Sequence, residues 1–423
     1  MRSSSIGGPK FNLQAITLSF AKEQLNNRAM PKTKLQNRND FNGQRFYVGL
    51  DVHKKSWAVT IRSLKIELAH FSQPPGAEAL SNYLHREFPG GDYYSAYEAG
   101  FCGTDAHEQL CKFGIKNIIV HAADIPSTDK QKKNKTDLHD SRAIADHLER
   151  GNLKGIYVLN HEQQELRSLF RLRESKVIDV TRANNRLKSF LMYYSIKLPE
   201  NISKNEFLSG KVLDWLNIEL GSASGTFALQ QHIEELKYQR RQLLQITQSL
   251  RMQIQCLHKQ TYIDLLSVPG IGAVTSMGLI AEIADFSRFE DPDHYASFLG
   301  LCPWEDSSGP VIKTKGVQPR CNGHLRPLLV EASWKAITKS RSLFAYYSKH
   351  ANKSGKKAII KVARKLAMIA KGVATSGQPY QEDYLKKKQA EKDLKAERFS
   401  LGITEQHINK QPGIGLQVAA MPG

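Results

Sequence analysis

The chain has 423 residues with a formal net charge of +19 at pH 7, and 40% of its residues are hydrophobic. This length fits two or three compact domains, and the composition excludes fibrous and low-complexity classes. The excess of 60 lysines and arginines over 41 acidic residues favours a nucleic-acid partner, because basic side chains that neutralise phosphates release bound counterions. A generally basic surface without such a partner is the alternative interpretation.

The cysteine pattern and the hydropathy of the chain indicate the cellular compartment in which the protein resides. The five cysteines, at 102, 111, 256, 302 and 321, include no CxxC pair, which argues against a structural zinc site and favours a reducing environment. The chain has no apolar run of the length, about 18 residues, that a membrane span needs. Residues 1–44 lack the apolar core of a secretory signal. The sequence therefore predicts a cytoplasmic protein with no membrane partner.

The first domain is predicted over residues 45–155, after a flexible basic extension over residues 1–44. Enrichment in Val, Ile, Tyr and Trp predicts two strands within 45–63, joined by a tight turn at His53-Lys54-Lys55. The next elements are a strand at 66–71, a helix at 77–88, a strand at 93–97, a helix at 105–113, a strand at 117–121 and a helix from Thr136. This order predicts a mixed α/β sheet.

Four carboxylates lie where these strands end or where the last helix begins. Asp51 ends an apolar strand, Glu98 follows another, and Asp137 and Asp140 share one face of a helical turn. Mg²⁺ prefers such hard oxygen ligands, and two Mg²⁺ ions about 4 Å apart stabilise both oxygens that exchange at a phosphodiester. Taken singly, each residue is better explained as a turn former or a complement to the helix dipole.

Lysines accompany these carboxylates. Lys54 lies in the first turn, and Lys132, Lys133 and Lys135 lie in the basic loop before the helix from Thr136. We expect these four side chains to hold the phosphates of a nucleic-acid strand.

A helical spacer is predicted over residues 156–260. Segments 161–191 and 226–260 are polar and have helical periodicity, and Leu236, Leu243 and Leu250 are each seven residues apart. Together with Leu166, Leu169 and Leu172 they indicate the seams of a coiled coil. Amphipathic helices packed on their own domain are the alternative.

The C-terminal domain is predicted over residues 261–378, followed by a charged tail over 379–423. VPGIGAVTSMGLIAEI is typical of a helix-hairpin-helix, in which Gly270 and Gly272 allow a tight turn that presents N–H groups to phosphate; an ordinary glycine turn is the alternative. A helix at 356–371 places Lys357, Lys361, Arg364 and Lys365 opposite its apolar face. These cations either contact nucleic acid or form an ordinary solvated face.

Three segments of the first domain, YVGLDVHKKSWAVTI, YEAG and KTDLHDSRAIA, resemble the transposases of bacterial insertion sequences in the IS110 family, including its IS1111 branch. The resemblance covers about residues 46–375 and implies a ribonuclease-H-like (RuvC-like) first domain. It further implies that Asp51, Glu98, Asp137 and Asp140 bind the metal ions. Residues 1–44 have no counterpart, and Pro319-Arg320-Cys321-Asn322 replaces the Lys-Arg-Gly-Asn-like stretch that is usual in the family.

FLGLCPWEDSSG extends the resemblance to the C-terminal domain. By spacing alone, Ser307-Ser308-Gly309 is an ordinary loop. The family carries a Ser-Gly pair here, which implies that Ser308 is the nucleophile, with Ser307 as the fallback. The family also implies sites shared between subunits of a dimer or tetramer, and guidance by a structured RNA from the element.

The sequence thus predicts a transposase that cuts and rejoins DNA strands with Mg²⁺ and a serine nucleophile. Two other functions stay open. One is a metal-dependent junction resolvase or nuclease that does not use Ser308, and covalent protein–DNA adducts distinguish it. The other is a non-catalytic nucleic-acid-binding protein, which metal-dependent cleavage distinguishes.

Overall fold

The computed structural model describes residues 40–100, 102–126, 137–196, 209–216, 222–305, 314–352 and 354–382. The chain divides into two compact units, Met1–Val158 and Leu159–Gly423. The predicted extension before residue 40 and the predicted tail after residue 382 lie outside the described residues.

The N-terminal unit is a mixed α/β structure, as the sequence predicts. Its strands are β1 (Arg45–Val52), β2 (Trp57–Ser63), β3 (Ile66–Gln73), β4 (Asp92–Glu98) and β5 (Lys116–Val120), and its helices are α1 (Ala77–Glu87), α2 (Asp105–Lys112) and α3 (Asp137–Glu149). The sheet order is β3-β2-β1-β4-β5. Strands β1, β2 and β3 are antiparallel neighbours, whereas β4 is parallel to β1 and β5. This arrangement fits a ribonuclease-H-like fold.

Alternation along β1 assigns the two faces of this sheet. Phe46, Val48 and Leu50 are fully buried in one core with side chains from α1 and α2. Gly49 faces the other side, where α3 packs. The sheet is therefore covered by helices on both faces, and the carboxyl ends of the parallel strands β1 and β4 open at one edge.

The C-terminal unit is mostly helical. Its helices are α4 (His161–Tyr193), α5 (Gly210–Trp215), α6 (Ala223–Leu257), α7 (Lys259–Leu266), α8 (Ala273–Ile283), α9 (Pro292–Phe298), α10 (Leu325–Lys339), α11 (Arg341–Ala351) and α12 (Gly355–Ser376). A short antiparallel hairpin, β6 (Pro303–Glu305) with β7 (Thr314–Val317), precedes α10. The sequence did not predict this hairpin, because its strands are too short for an alternating pattern.

The long helices α4 and α6 pack along each other with two separate apolar contact zones. One zone joins Ala183, Leu187 and Leu191 of α4 to Leu229, Ile233 and Leu236 of α6. In the other, Leu166, Phe170, Leu250 and Ile254 join the core built from α7 to α12. The predicted seam residue Leu172 is 46% exposed, because the apolar contacts of α4 move to Phe170 and then to Ala183. The spacer helices are thus part of the same compact unit as the C-terminal helices.

Within the described part of the chain, no helix is both long and apolar enough to cross a membrane.

Candidate active site

The carboxyl edge of the sheet brings two predicted site residues side by side. Leu50 of β1 pairs with Tyr97 of β4 in parallel register. Asp51 directly follows Leu50, and Glu98 directly follows Tyr97. The two carboxylates therefore occupy equivalent positions on neighbouring strands. Asp51 continues the alternation of Gly49 and so belongs to the sheet face that α3 covers.

Helix α3 is seated directly on β1 at Gly49. A Cβ placed on Gly49 would lie 2.0 Å from the carbonyl oxygen of Ser141 and 2.4 Å from the backbone nitrogen of Ala145. Any larger residue at this position would push the helix off the sheet. Glycine here therefore allows close approach of helix and strand, and its φ angle is not in the left-handed region.

An ion pair at the C-terminal end of α3 shows the direction in which this helix runs across the sheet. Arg62 of β2 donates to Glu149 at 2.9 Å and lies 3.3 Å from Asp146. Arg62 pairs across the sheet with Tyr47, near the start of β1. The C-terminal end of α3 thus lies over the start of β1, and its first turn, with Asp137 and Asp140, lies at the edge where Asp51 and Glu98 are found.

Buried hydroxyl groups hold α3 in this place. The Thr60 hydroxyl lies 2.9 Å from the Ser141 hydroxyl and 2.8 Å from Nδ1 of His70. Thr60 and Ser141 are fully buried. Ser141 directly follows Asp140, so this network fixes the backbone that carries the carboxylate. The sequence gives no sign of it, because Thr60 and Ser141 are 81 residues apart.

Asp51 accepts a contact from the neighbouring turn. Nε2 of His53 lies 3.1 Å from Oδ2 of Asp51, and the Asp51 side chain is 19% exposed. Burial and the charge of Asp51 both raise the pKa of the nearby Cys102 thiol. The carboxylate is therefore half-buried, oriented and open to solvent on one side.

The oxygen donors at this edge suit a hard divalent cation such as Mg²⁺. Among the side chains that the structure describes, no three His, Cys, Asp or Glu residues form a metal-binding group. The side chain of Asp137 is not among them, so the four predicted ligands are not tested as a set.

A cleft of about 470 Å³ lies beside the end of β1, and its wall includes Val52, His53, Lys54 and Cys102. Lys54 is exposed there and follows Asp51 by three residues, whereas Asp51 itself does not line the cleft. Lys132, Lys133 and Lys135 lie outside the described residues.

The predicted nucleophile belongs to the connection between β6 and β7. Ser307 and Ser308 lie outside the described residues, but the base of this hairpin is described. The Gln318 backbone N–H donates to the carbonyl of Cys302 at 3.0 Å, and Arg326 donates to the carbonyl of Gln318 at 2.8 Å. Ser297 donates to the side chain of Gln318 at 3.0 Å. Two helices thus anchor the hairpin where its strands begin and end.

A buried carboxylate that the sequence analysis missed lies close to this base. Glu282 of α8 is fully buried and accepts two hydrogen bonds from Arg171 of α4, at 2.7 and 2.9 Å. It also accepts one from Asn322 at 2.8 Å. Burial alone would raise the pKa of Glu282, but the hydrogen bonds and charge of Arg171, with Asn322 and Arg167, hold it below the ordinary value.

Asn322 carries this network to α10. Its side-chain oxygen accepts from the backbone N–H groups of His324 and Leu325, each at 3.0 Å. Its own N–H donates to the carbonyl of Phe298 at 2.7 Å. The departure from the family pattern at 319–322 therefore retains the asparagine that fixes the end of the hairpin segment.

The two glycines of the predicted helix-hairpin-helix differ in environment. Gly270 has a φ of +84°, and a Cβ there would lie 2.3 Å from the carbonyl oxygen of Ala332. Close packing against α10 therefore explains why residue 270 is a glycine. Gly272 precedes α8, is exposed, and has open space where a Cβ would be. Gly272 is therefore the better placed of the two for a phosphate contact.

The basic face of α12 divides into two classes. Lys357 and Lys361 are exposed. Arg364 pairs with Asp293, and Nζ of Lys365 lies 4.5 Å from the ring centre of Tyr346. The first two lysines are open to a partner, whereas Arg364 and Lys365 have intramolecular contacts that account for their positions.

Two family models match the chain. Residues 48–196 match a DEDD-type transposase model of IS110 elements, described as "Transposase". Residues 264–349 match the model described as "Transposase IS116/IS110/IS902 family". Together the matches span more than half of the chain, and the first includes all four predicted carboxylates.

Curated relatives are similar to this chain over 48% to 68% of its length. A putative transposase of Sinorhizobium fredii is 25% identical over 296 residues, which cover 68% of this chain and 71% of the relative. The transposase for insertion sequence element IS1328 of Yersinia enterocolitica is 26% identical, over 48% of this chain and 59% of the relative. The transposase for IS1111A of Coxiella burnetii is 25% identical, over 48% and 55%.

The chain therefore spans a little over half the length of the last two relatives. The first family match begins in the N-terminal unit and continues into the C-terminal unit as far as residue 196, and the second match lies wholly within the C-terminal unit. The carboxylate edge falls in the first match and the Ser-Gly segment in the second. From these matches we conclude that the chain belongs to the IS110 family of insertion-sequence transposases.

Proposed function

We propose that this protein cuts and rejoins DNA strands to mobilise an insertion sequence, using an acidic site formed by Asp51, Glu98, Asp137 and Asp140. The observation that carries this proposal is the seat of α3 on Gly49. It directs the first turn of α3 to the edge where β1 and β4 end. The relatives from Yersinia enterocolitica and Coxiella burnetii, which are transposases for insertion sequence elements, support the same function.

The four carboxylates would hold Mg²⁺, and two ions are expected. When bound, the metal supplies positive charge that stabilises the oxygens exchanging at phosphorus. The protein's own side chains orient the carboxylates and hold the DNA strand. His53 fixes the rotamer of Asp51, the Thr60–Ser141 contact fixes the backbone beside Asp140, and Lys54 holds a phosphate of the strand being cut.

Ser308 is the proposed nucleophile of strand exchange. Its hydroxyl oxygen forms an ester bond with phosphorus, the bond from phosphorus to one deoxyribose oxygen breaks, and the hydroxyl proton ends on the departing oxygen. The phosphoester bond count is unchanged, so the reverse reaction with another strand end rejoins DNA without ATP. The anchored base of the β6–β7 hairpin supports this role, because a nucleophile needs a fixed approach.

The partners follow from charge and family. DNA is the substrate, and a structured guide RNA from the element is the proposed second nucleic acid. Gly272 at the start of α8 and Lys357 and Lys361 on α12 are proposed phosphate contacts. A dimer or tetramer is proposed as the active form, because the helices α4 and α6 offer long surfaces for self-association.

The acidic site is tested by Asp51→Asn and Asp140→Asn in the full chain. Both variants should lose Mg²⁺-dependent cleavage of element-end DNA and keep their thermal unfolding temperature, since removing one of several clustered acids relieves repulsion. Asp92→Asn is the matched control, because Asp92 begins β4 at the opposite edge of the sheet. Cleavage by Asp51→Asn at the wild-type rate would contradict the proposal.

The same assay separates the two rivals. Cleavage that needs Asp51 but never yields a covalent protein–DNA adduct identifies a resolvase or nuclease. DNA binding without cleavage in Mg²⁺ or Mn²⁺ identifies a non-catalytic binding protein.

A further inference from the structure

A cleft of about 670 Å³ lies beside the C-terminal part of α4 and is lined by arginine and aromatic side chains. Its main residues are Arg182, Asn185, Arg186, Phe190 and Tyr193 of α4 and His232 of α6. We propose that this basic–aromatic cleft binds single-stranded nucleic acid, with the arginines on phosphates and Tyr193 stacked on a base. The proposal rests on the proposed function only in taking nucleic acid as the partner.

The charge of the cleft suits a polyanion. Residues 180–193 of α4 contain three basic residues and no acidic one. The side chains of Arg182 and Arg186 are 68% and 52% exposed. Their ion pairs, with Asp179 and Glu235, are each 3.7 Å long. Exposed pairs of this length contribute little to stability and are screened by salt, so a phosphate can replace either carboxylate at small cost.

The aromatic side of the cleft suits an unpaired base. Tyr193 is 83% exposed, although a ring of this size is normally at least half covered in a monomer. Behind it, Phe190 lies 4.6 Å from Tyr194 and 5.2 Å from His232 between ring centres. Tyr193 itself packs edge-on against Tyr194, with 5.2 Å between ring centres, and its ring stays largely exposed. Ring faces of bases are accessible for stacking only where strands are unpaired.

The spacing of these groups follows one strand. Arg182, Arg186 and Tyr193 are separated by four and seven residues, so they share one face of α4. At a rise of about 1.5 Å per residue, the distance along the helix from Arg182 to Tyr193 is about 16 Å. Two phosphate contacts followed by a stacked base therefore form a continuous path of a few nucleotides.

A second copy of the chain is the competing occupant. A two-fold contact through this cleft would bring Arg182 and Arg186 against the same residues of the partner. Four guanidinium groups would then meet with few carboxylates between them, and like charges at close range repel. The charge of the cleft thus favours nucleic acid over self-association.

The test measures binding of a short fluorescent oligothymidylate to the full-length protein without divalent metal, by anisotropy at low salt. Tyr193→Leu should weaken binding about tenfold, since one stacked base contributes on that order. Tyr193→Phe should keep wild-type affinity, because the ring and not the hydroxyl is used. The double variant Arg182→Glu with Arg186→Glu should lose about tenfold or more and show a shallower salt dependence.

The charge-matched control is Arg241→Glu with Arg251→Glu, two exposed arginines elsewhere on α6. This control variant should bind oligothymidylate more tightly than the cleft variants do. Equal binding by wild type, Tyr193→Leu and the cleft arginine variant overturns the proposal. Loss of self-association in light scattering, with oligothymidylate binding unchanged, also overturns it and assigns the cleft to a second copy. This binding assay contains no divalent metal. A negative result in it therefore does not bear on the test of Mg²⁺-dependent cleavage by Asp51→Asn.

Discussion

Gly49 and Ser141 are in such close contact that a single added Cβ at Gly49 would lie 2.0 Å from the Ser141 carbonyl oxygen. The contact joins the central strand of the sheet to the helix that carries Asp137 and Asp140. It determines how deep that helix sits and therefore how far its first turn lies from Asp51.

Replacing Gly49 by alanine should disturb this seat. The methyl group meets backbone atoms on α3, which cannot rotate away, so we expect a loss of about 2 kcal/mol or more in the free energy of unfolding. Metal-dependent cleavage should fall further than stability alone explains. Gly100→Ala is the control, since a Cβ there has its nearest neighbour at 3.8 Å. Equal unfolding curves for the two variants, followed in urea, would show that α3 accommodates the methyl group.

Thr60→Val should separate stability from positioning. Valine keeps the shape of threonine but leaves Ser141 and His70 without their shared hydroxyl, at a cost of about 1–3 kcal/mol. If Thr60 positions Asp140, Mn²⁺ affinity should drop several-fold as well, and Thr60→Ser should restore it. Ser95→Ala removes another buried hydroxyl, one that accepts from Asn117 at 2.7 Å, and should cost stability without changing Mn²⁺ affinity. Unchanged Mn²⁺ affinity in Thr60→Val would reduce Thr60 to a packing role.

The positions of the acidic residues could be predicted from local pattern, but the contacts that join the elements carrying them could not. Asp51, Glu98 and Asp140 follow strands or begin a helix, and short-range hydrophobic periodicity is sufficient to find such positions. The seat at Gly49 and the hydroxyl contact of Thr60 join residues that are distant in sequence, and no local pattern reports such contacts. The order of the N-terminal elements was predicted correctly because each is long enough for its periodicity to appear.

Residue types that can serve two different physical roles are harder to assign from the sequence. A glycine in a turn either presents its N–H to a ligand or allows close packing, and the sequence PGIG is the same in both. The structure gives Gly270 the second use, through its contact with Ala332. Similarly, the sequence leaves open whether Arg364 contacts nucleic acid or forms an ordinary solvated face, and in the structure it pairs with Asp293. Glu282 was missed because a charged residue in an apolar helix is noticeable only once Arg171 is known to lie beside it.

Glu282→Gln should have a defined pH signature. The carboxyl has a pKa below its ordinary 4.5 in the folded chain, so ionised Glu282 stabilises the fold above about pH 4.5, and this contribution is lost as the pH falls through the lowered value. Removing the charge takes away the ionised partner of Arg171, whose own side chain is 47% exposed. The expected loss in the free energy of unfolding at pH 7 is therefore about 1–3 kcal/mol, the cost of weakening buried hydrogen bonds to a charged group.

The measurement compares urea unfolding of wild type and Glu282→Gln from pH 7 to pH 3. The difference should be constant down to about pH 5 and shrink below the ordinary pKa. Glu331→Gln, an exposed position on α10, should show no such difference. A gap between wild type and Glu282→Gln that widens in acid would mean that Glu282 is protonated in the native state.

Ser308→Ala is the most discriminating change for the chemistry. If Ser308 attacks phosphorus, stopping the wild-type reaction with denaturant should trap DNA covalently joined to the protein, visible as a slow band on a denaturing gel. Ser308→Ala should lose both the adduct and recombination while binding nucleic acid as the wild type does, because a methyl group replaces only the hydroxyl.

Ser307→Ala is the matched control, since it removes the neighbouring hydroxyl from the same segment. An adduct that persists in Ser308→Ala and disappears in Ser307→Ala would move the nucleophile one residue back. Cleavage that continues in both variants without any adduct would leave water as the attacking group, and the carboxylate edge around Asp51 would then be sufficient for a hydrolytic cut. That result would assign the β6–β7 hairpin, anchored by Arg326 and Asn322, to binding DNA and not to exchanging its strands.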